Sequence, residues 1–403
     1  MVTAGGEQGS KPSLGKSNNH QSHPILMRSG WAVGVVVPAL DEVEHIAGVI
    51  ERIPGWVDAI VVVNDHSKDD TKDVARRTLE QKCLQGWGGN GWVIDTFPES
   101  QPPRSGVGAT IDAGIQFINT KADSGFWVKG ERWCVAVMDG DGQMDADDLA
   151  VILQPIIDDK ADHVKGSREL HPEGLAGMPV IRQMGSWILT HLTNLATGLS
   201  VSDPQSGYAA SSHEVIEDWD WEKQWDGYGY PNHRLMQLSL NSWRISEVPV
   251  KAIYNGQNSG MNIFSFFLKV SALLWFGLLI RGTKWYISTA FKVKTDEISS
   301  EESMLVMWFG GWLILVLSSV AVAMEIVSFW RASIALFFFV MAMYGCRLID
   351  KKVAAERAAR FHATRRGNVE TTVAAGIVAK SSLGATIDTL DEKSKGLVGT
   401  EIS

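Results

Sequence analysis

The chain has 403 residues, 45% of them hydrophobic and 21% charged, with a formal net charge of −9. That length can bury a large core in one sizeable globular domain with appendages. The mildly acidic balance excludes bulk electrostatic capture of a polyanion, so no nucleic-acid partner is expected.

In chain order, residues 1–30 are rich in Gly, Ser, Asn, His and Lys and lack the continuous apolar stretch of a secretory signal, which predicts a disordered cytosolic leader. From residue 31 to about residue 211, short β-branched runs alternate with amphipathic stretches. Strands are expected at 32–37, 59–63, 92–97, 134–138 and 163–166, and helices near 43–53, 71–82, 108–118, 147–157 and 181–197. This alternation predicts an α/β domain whose mostly parallel, Rossmann-like sheet is flanked by helices. Cys83, Cys134 and Cys346 have no metal-ligand spacing and read as reduced core or membrane residues.

A less regular section, including 243–253, leads to a change of character. Residues 304–324 contain no charge and, at about 20 residues, suffice to cross a bilayer. Residues 332–346 form a second, shorter apolar run whose flanking Arg331 and Arg347 can snorkel, so the pair reads as a membrane hairpin. The stretch 263–280 carries only Lys269. Basic clusters (Arg281, Lys284, Lys292, Lys294 and then Arg347 to Arg366) flank the hairpin, and an even number of spans puts both on the cytoplasmic side. Two spans preceded by an interfacial helix at 263–280 are therefore expected, and the polar tail beyond Gly367 is uninformative.

In open parallel sheets ligands gather beyond the carboxyl ends of the strands. The first expected strand ends in Pro38-Ala39-Leu40-Asp41-Glu42, the second in Asn64-Asp65-His66-Ser67, the fourth in Asp139-Gly140-Asp141-Gly142-Gln143 and the fifth in Gly166-Ser167-Arg168. Two carboxylates in an Asp-x-Asp step, with Gln143 adjacent, can direct hard oxygen ligands at one divalent cation, and the intervening glycines permit a tight backbone path. A plain acidic turn is the competing reading, and the concordance of the other strand ends favours metal. Asp65 and Glu42 suit hydrogen bonds from a ribose or base, whereas Asp41 or Asp65 taken singly reads better as a helix cap. Arg104-Ser105-Gly106-Val107-Gly108 opens a helix through a glycine-rich bend. Arg168 and Arg182 imply a second anion. On a helix, Arg182 and Ser186 share a face and could grip one phosphate with Arg168 opposite.

At these residues the chain resembles the family 2 glycosyltransferases, in particular their dolichyl-phosphate mannose synthase and polyprenyl-phosphate glucosyltransferase branch. The resemblance covers about residues 33–254 and includes Asp203-Pro204-Gln205-Ser206-Gly207. It departs from the branch at Asp41 (usually Asn), Asn64 (Asp), His66 (Gly) and Met144-Asp145 (His-Pro). The resemblance implies a GT-A-type catalytic domain over 31–260, interfacial amphipathic helices over 261–295, a transmembrane hairpin over 304–349 and a cytoplasmic tail over 350–403. It further implies that Pro38, Glu42, Asp65 and Asp139 hold a nucleotide, that Asp139, Asp141 and Gln143 bind Mg or Mn, and that Arg168, Arg182 and Ser186 bind the acceptor phosphate. Asp141, Arg168 and Arg182 are then the catalytic residues.

The expected reaction is transfer of a hexose from a nucleotide sugar to a polyprenyl or dolichyl phosphate, with inversion, at a prokaryotic plasma membrane or the endoplasmic reticulum. The expected partners are those two substrates and the lipid bilayer, and a homo-oligomer is compatible with the sequence. One rival is a processive polysaccharide synthase, against which the chain lacks a Gln-x-x-Arg-Trp segment. The other is a non-catalytic membrane scaffold on the same fold.

Overall fold

The computed structural model describes residues 30–99, 104–125, 132–174, 178–222, 224–253, 263–287, 300–324, 333–351, 358–359 and 361–365. The expected leader, Gly30 apart, and the tail from residue 366 lie outside the described residues.

Strand β1 (Trp31–Ala39) is almost uninterruptedly apolar and is buried along its whole length, as a central strand covered on both faces must be. It pairs in parallel with β2 (Ala59–Asn64) on one side and β4 (Arg132–Val137) on the other, and β3 (Asn90–Asp95) extends β2 in parallel. Beyond β4 lies β6 (Ala209–Ser212), antiparallel to both β4 and β5 (His163–Ser167), and β7 (Ile245–Pro249) closes that edge parallel to β5. The order is β3-β2-β1-β4-β6-β5-β7.

The α/β architecture expected from the sequence is therefore present, with β6 and β7 in addition. Strand β6 reads Ala-Ala-Ser-Ser and contains no β-branched residue, so its strand character comes from the flanking ladders and not from propensity. Strand β7 ends in proline, which is tolerated on an edge.

Alternate residues of the strands feed two cores, as the period of two requires. Val33, Val35 and Val37 pack with Ile60 and Val62 beneath α1 (Ile46–Arg52), α2 (Thr71–Leu84) and α4 (Leu149–Ile157). On the opposite face Val36, Val61, Val63 and Val135 pack against Ile111, Ile115 and Ile118 of α3 (Val107–Asp123) and Ile216 of α6 (His213–Glu217).

A third core joins the sheet domain to the C-terminal helices. Leu189 and Ala196 of α5 (Val180–Thr197) and Met236 of α7 (Tyr230–Leu240) meet Val270, Leu274 and Leu278 of α8 (Ile263–Arg281). The same cluster takes in Trp308 of α9 (Ser300–Ala323) and Phe339, Met343 and Cys346 of α10 (Ser333–Lys351). A π-helical turn, Gly282–Ile287, follows α8.

Arg281, expected in an interfacial basic cluster, is instead 1% exposed. It makes a two-pronged bond with Asp350, itself 1% exposed, and donates to Ser239 Oγ at 2.8 Å. A guanidinium can be buried here because a carboxylate from another helix reaches it.

Phe264–Lys284 and Ser333–Lys351 are long and apolar enough to cross a membrane, and Val306–Val322 is a shorter apolar helix. Both ends of α8 nevertheless touch the sheet domain: Phe266 and Phe267 line a cavity with Arg182 and Ser186, and Arg281 bonds Ser239. After α10 the chain returns to that domain as well. The Arg365 guanidinium lies 3.5 Å from the ring centre of Trp243 and donates to the Asn241 carbonyl at 2.8 Å.

Candidate active site

The carboxyl ends of β1, β2 and β4 are stitched together by main-chain bonds. Gly140 N–H donates to the Pro38 carbonyl at 3.0 Å, and Asp65 N–H to Ala39 at 2.9 Å. Pro38 thus supports the Asp139–Asp141 turn from the neighbouring strand. Asp41 (φ 55°) and His66 (φ 60°) lie in the left-handed region, where Asn and Gly are favoured. These are two of the positions at which the chain departs from the family pattern.

The helix-cap reading of Asp41 and Asp65 does not hold: the residues preceding α1 and α2 are His45 and Asp70. Asp41 instead accepts from Lys68 N–H at 2.7 Å, tying two loops. Asp65 accepts from Gly106 N–H at 2.8 Å through Oδ2, while its buried Oδ1 has no partner. Glu42 accepts from or shares a proton with His45 Nδ1 at 3.0 Å, and its backbone N–H donates to Thr71 Oγ1 at 2.8 Å.

The glycine-rich bend at 104–108 is closed from within. The amides of Gly108 and Ala109, which open α3, donate to the Asp226 carbonyl, and the Arg104 side chain bonds the Asp226 carboxylate. Gly106 is required there: at φ 104°, an added Cβ would stand 2.7 Å from the Asp226 carbonyl oxygen.

At the end of β4, Asp141 Oδ1 accepts from Gln143 N–H at 2.9 Å, a side-chain turn made possible by Gly142 at φ 75°. Asp139 is half-buried, and its buried Oδ1 has no hydrogen-bond partner. Burial pushes its carboxyl up to about 7, with the Asp141 and Glu42 carboxylates adding to the shift and Arg168 and Lys165 opposing it. Glu42 and Asp141 are also raised, both chiefly by burial.

Asp139, Asp141 and Gln143 line a cavity of about 150 Å³ together with Arg168, Gln205 and Lys251. Among the described residues no three His, Cys, Asp or Glu side chains converge into a ready-made metal cage. Two mutually repelling carboxylates, one with an unpartnered buried oxygen, and a neighbouring amide do fit a divalent cation that takes its remaining oxygens from a substrate.

At the end of β5, Arg168 grips Asp203 with Nε at 2.7 Å and Nη2 at 3.0 Å. Burial alone would raise the Asp203 carboxyl, but the guanidinium outweighs it and holds the group below its usual range. Behind this pair Lys165 is fully buried and donates to the Ser206 carbonyl, and burial lowers its ammonium to about 8 against the pull of Asp203. Glu247 accepts from Ser202 N–H at 2.8 Å and from Asp203 N–H at 3.2 Å. Together they lock the 202–207 loop.

Arg182 and Ser186, one turn apart on α5, line a second cavity of about 210 Å³ with Arg168, Gln205, Tyr228 and Phe267. Arg168, Arg182 and Ser186 thus line one cavity. Arg168 is partly neutralised by Asp203, whereas Arg182 has no acidic partner among the described residues. The sequence pattern marked the 203–207 segment but assigned no role to Asp203, Gln205, Lys165 or Glu247. Their signal is burial of polar groups, which appears only on folding.

The sequence pattern of "Glycosyl transferase family 2" matches residues 34–219. The chain is similar to the UDP-N-acetylglucosamine–dolichyl-phosphate N-acetylglucosaminyltransferase of Methanococcus voltae, at 30% identity over 55% of this chain and 85% of that protein. It is also similar to the dolichyl-phosphate hexose transferase of Haloferax volcanii, at 24% identity over 54% of this chain and 81% of that protein. Among solved structures, glucosyl-3-phosphoglycerate synthase from Mycobacterium tuberculosis, in complex with Mn²⁺, UDP and phosphoglyceric acid, aligns at 20% identity. It covers 63% of this chain and 79% of its own, with a TM-score of 0.45. The chain belongs to glycosyl transferase family 2 and is a glycosyltransferase.

Proposed function

We propose that the protein transfers a hexosyl group from a nucleoside-diphosphate sugar to the phosphate of a polyprenol or dolichol, inverting the anomeric centre and yielding a lipid-linked monosaccharide. The observation that carries this reading is the meeting of an acidic cavity, at Asp139 and Asp141, with a cationic one, at Arg182 and Ser186, across a wall shared by Arg168 and Gln205. One cavity suits the diphosphate with its cation, and the other suits a phosphate acceptor.

The two helices that contribute to the second cavity also carry exposed apolar residues. Val180, Ile181, Met184 and Trp187 of α5 and Phe264, Leu268 and Phe276 of α8 are all at least half exposed, a surface suited to the bilayer interface. The contacts at both ends of α8 support its lying along the membrane surface, with α9 and α10 as the hairpin. Return of the chain after α10 to Trp243 supports an even number of crossings, with the catalytic domain cytoplasmic.

In the reaction an acceptor phosphate oxygen forms a bond to the anomeric carbon as the bond from that carbon to the β-phosphate oxygen breaks, and the electron pair leaves with the nucleoside diphosphate. No general base is needed, since a phosphate monoester is already ionised near neutral pH. Asp139, Asp141 and Gln143 would hold Mg or Mn, whose Lewis acidity supplies charge neutralisation on the departing diphosphate. Glu42 and Asp65 orient the nucleotide, the latter through its unpartnered Oδ1. Arg182 and Ser186 position the acceptor phosphate, and Arg168, aligned by Asp203, offsets repulsion between the two anions.

The test is incubation of membranes containing the protein with UDP-N-acetylglucosamine, UDP-glucose or GDP-mannose and a polyprenyl phosphate, followed by mass analysis of the lipid. A single-sugar lipid product supports the reading. A polymer would point to a processive synthase, and no glycosylated lipid from any donor would overturn it.

A further inference from the structure

We propose that Gln205 is a direct contact of the sugar in transit, donating a hydrogen bond from its side-chain amide to an oxygen of the transferred hexosyl group and so contributing to donor choice. This assignment rests on the transferase reading above.

Gln205 and Arg168 are the two residues that line both the Asp139–Asp141 cavity and the Arg182–Ser186 cavity. Both side chains therefore stand where the two cavities adjoin. Arg168 is engaged by Asp203 through two of its nitrogens, so its guanidinium is committed in orientation. Gln205 is held differently. Ser186 Oγ donates to its Oε1 at 3.1 Å, which fixes the carbonyl end toward α5, while its Nε2 is buried and has no hydrogen-bond partner.

A buried amide donor left unpaired is costly and uncommon in a folded protein, and a ligand atom is a sufficient reason for one. The matching unpartnered acceptor across the same cavity, Asp139 Oδ1, does not pair with it. Two residues that line the cavity thus each carry a buried polar atom without a partner, a donor on Gln205 and an acceptor on Asp139, a combination suited to a polar ligand and a cation side by side.

The position of Gln205 is not accidental to the loop. Lys165 holds the next carbonyl, that of Ser206, and Glu247 holds the amides of Ser202 and Asp203, so the backbone on both sides of Gln205 is anchored by buried charges. An anchored loop that holds an unsatisfied amide group at the wall shared by the two cavities has the form of a recognition device. Its neutral amide suits sugar oxygens, whereas the phosphates already have Arg182 and the carboxylate-held cation to meet them. A site built to bond a sugar oxygen also discriminates against sugars that lack or misplace it.

The experiment compares wild type, Gln205→Leu and Gln205→Glu, each assayed with UDP-N-acetylglucosamine, UDP-glucose and GDP-mannose against polyprenyl phosphate. Mn²⁺-dependent UDP binding by each purified protein serves as the folding control. The expected result is a fall in kcat of about 10- to 100-fold with the best donor, a smaller ratio between best and second-best donor, and a KM for polyprenyl phosphate within about twofold of wild type. Unchanged kcat, an equal loss with every donor, or a rise only in the KM for polyprenyl phosphate each overturns the assignment. So does loss of UDP binding in both variants, which makes Gln205 structural. Wild type that glycosylates no polyprenyl phosphate sinks the transferase reading itself, whereas active wild type with unaffected variants sinks this inference alone.

Discussion

Asp139 ends its strand with one carboxylate oxygen buried and unpartnered, and Asp141 and Glu42 stand close enough to raise its affinity for a proton. A protein that kept three such groups together without a ligand would carry a standing electrostatic penalty. Asp141→Asn should therefore cost about 2 to 4 kcal/mol of transition-state stabilisation, roughly a 30- to 900-fold loss in transfer, with protein level unchanged in membranes. Wild-type turnover by that variant would remove Asp141 from the site. Arg182→Ala should chiefly raise the KM for polyprenyl phosphate, because this guanidinium has no acidic partner among the described residues to satisfy instead. An unchanged acceptor KM would count against it.

Lys165 yields a prediction in pH. Its folded pKa lies near 8, below its ordinary value of 10.5, so between those limits the unfolded chain holds more protons than the folded one. Stability then gains a rising component as pH climbs from about 8 toward 10.5, while below 8 the full penalty for burying the charge is present. Thermal melts in detergent across this range should show the component in wild type and its absence in Lys165→Met. Identical profiles would show that the ammonium is not perturbed.

At the scale of elements, the strand-end loops work as a set because each is braced by another. Gly106 illustrates the dependence: its amide holds Asp65, and its missing side chain lets the Asp226 carbonyl reach the start of α3. Gly106→Ala should destabilise by more than about 1 kcal/mol, combining an unfavourable positive φ with a clash. The melting temperature reads this directly, and an unchanged value would mean that the bend is free to move.

Strands β1, β2 and β4 were legible in the sequence as runs rich in Val, Ile and Ala bounded by turn residues, β3 and β5 as shorter segments around Val93 and Val164 that keep the alternation with helices, and the helices between them follow from amphipathic spacing. Strands β6 and β7 were not, since Ala-Ala-Ser-Ser carries no periodic signal and its partners are distant in sequence. The same holds for the charged groups behind the site. Asp203 and Lys165 look like ordinary polar residues until the antiparallel insertion of β6 brings the 202–207 loop against β5.

At the scale of the whole molecule, the Arg281–Asp350 pair joins α8 and α10 beneath the catalytic domain, with Ser239 of α7 as a third point. Removing one partner leaves an uncompensated buried charge. Arg281→Met or Asp350→Leu alone should cost about 3 to 5 kcal/mol, and the double variant should recover most of it. Thermal unfolding of the detergent-solubilised protein measures the cycle; additive losses would show that the two charges act independently. Arg281 was counted in the sequence as one of a basic cluster beside the membrane, because nothing local distinguishes a snorkelling arginine from one that meets an acid about seventy residues away.

The sequence alone determined the α/β class, the polar strand ends, the Asp139–Asp141 step and the pairing of Arg182 with Ser186 on one helical face. These are properties of local pattern and of side chains a few positions apart. The tertiary structure alone decided that Arg168 is tied to Asp203, that the glycine-rich bend is filled by Asp226, and that the acidic and cationic cavities meet at Gln205. Each depends on contacts between residues far apart in the chain, where burial, and not residue type, sets which polar groups are satisfied and which are left for a ligand.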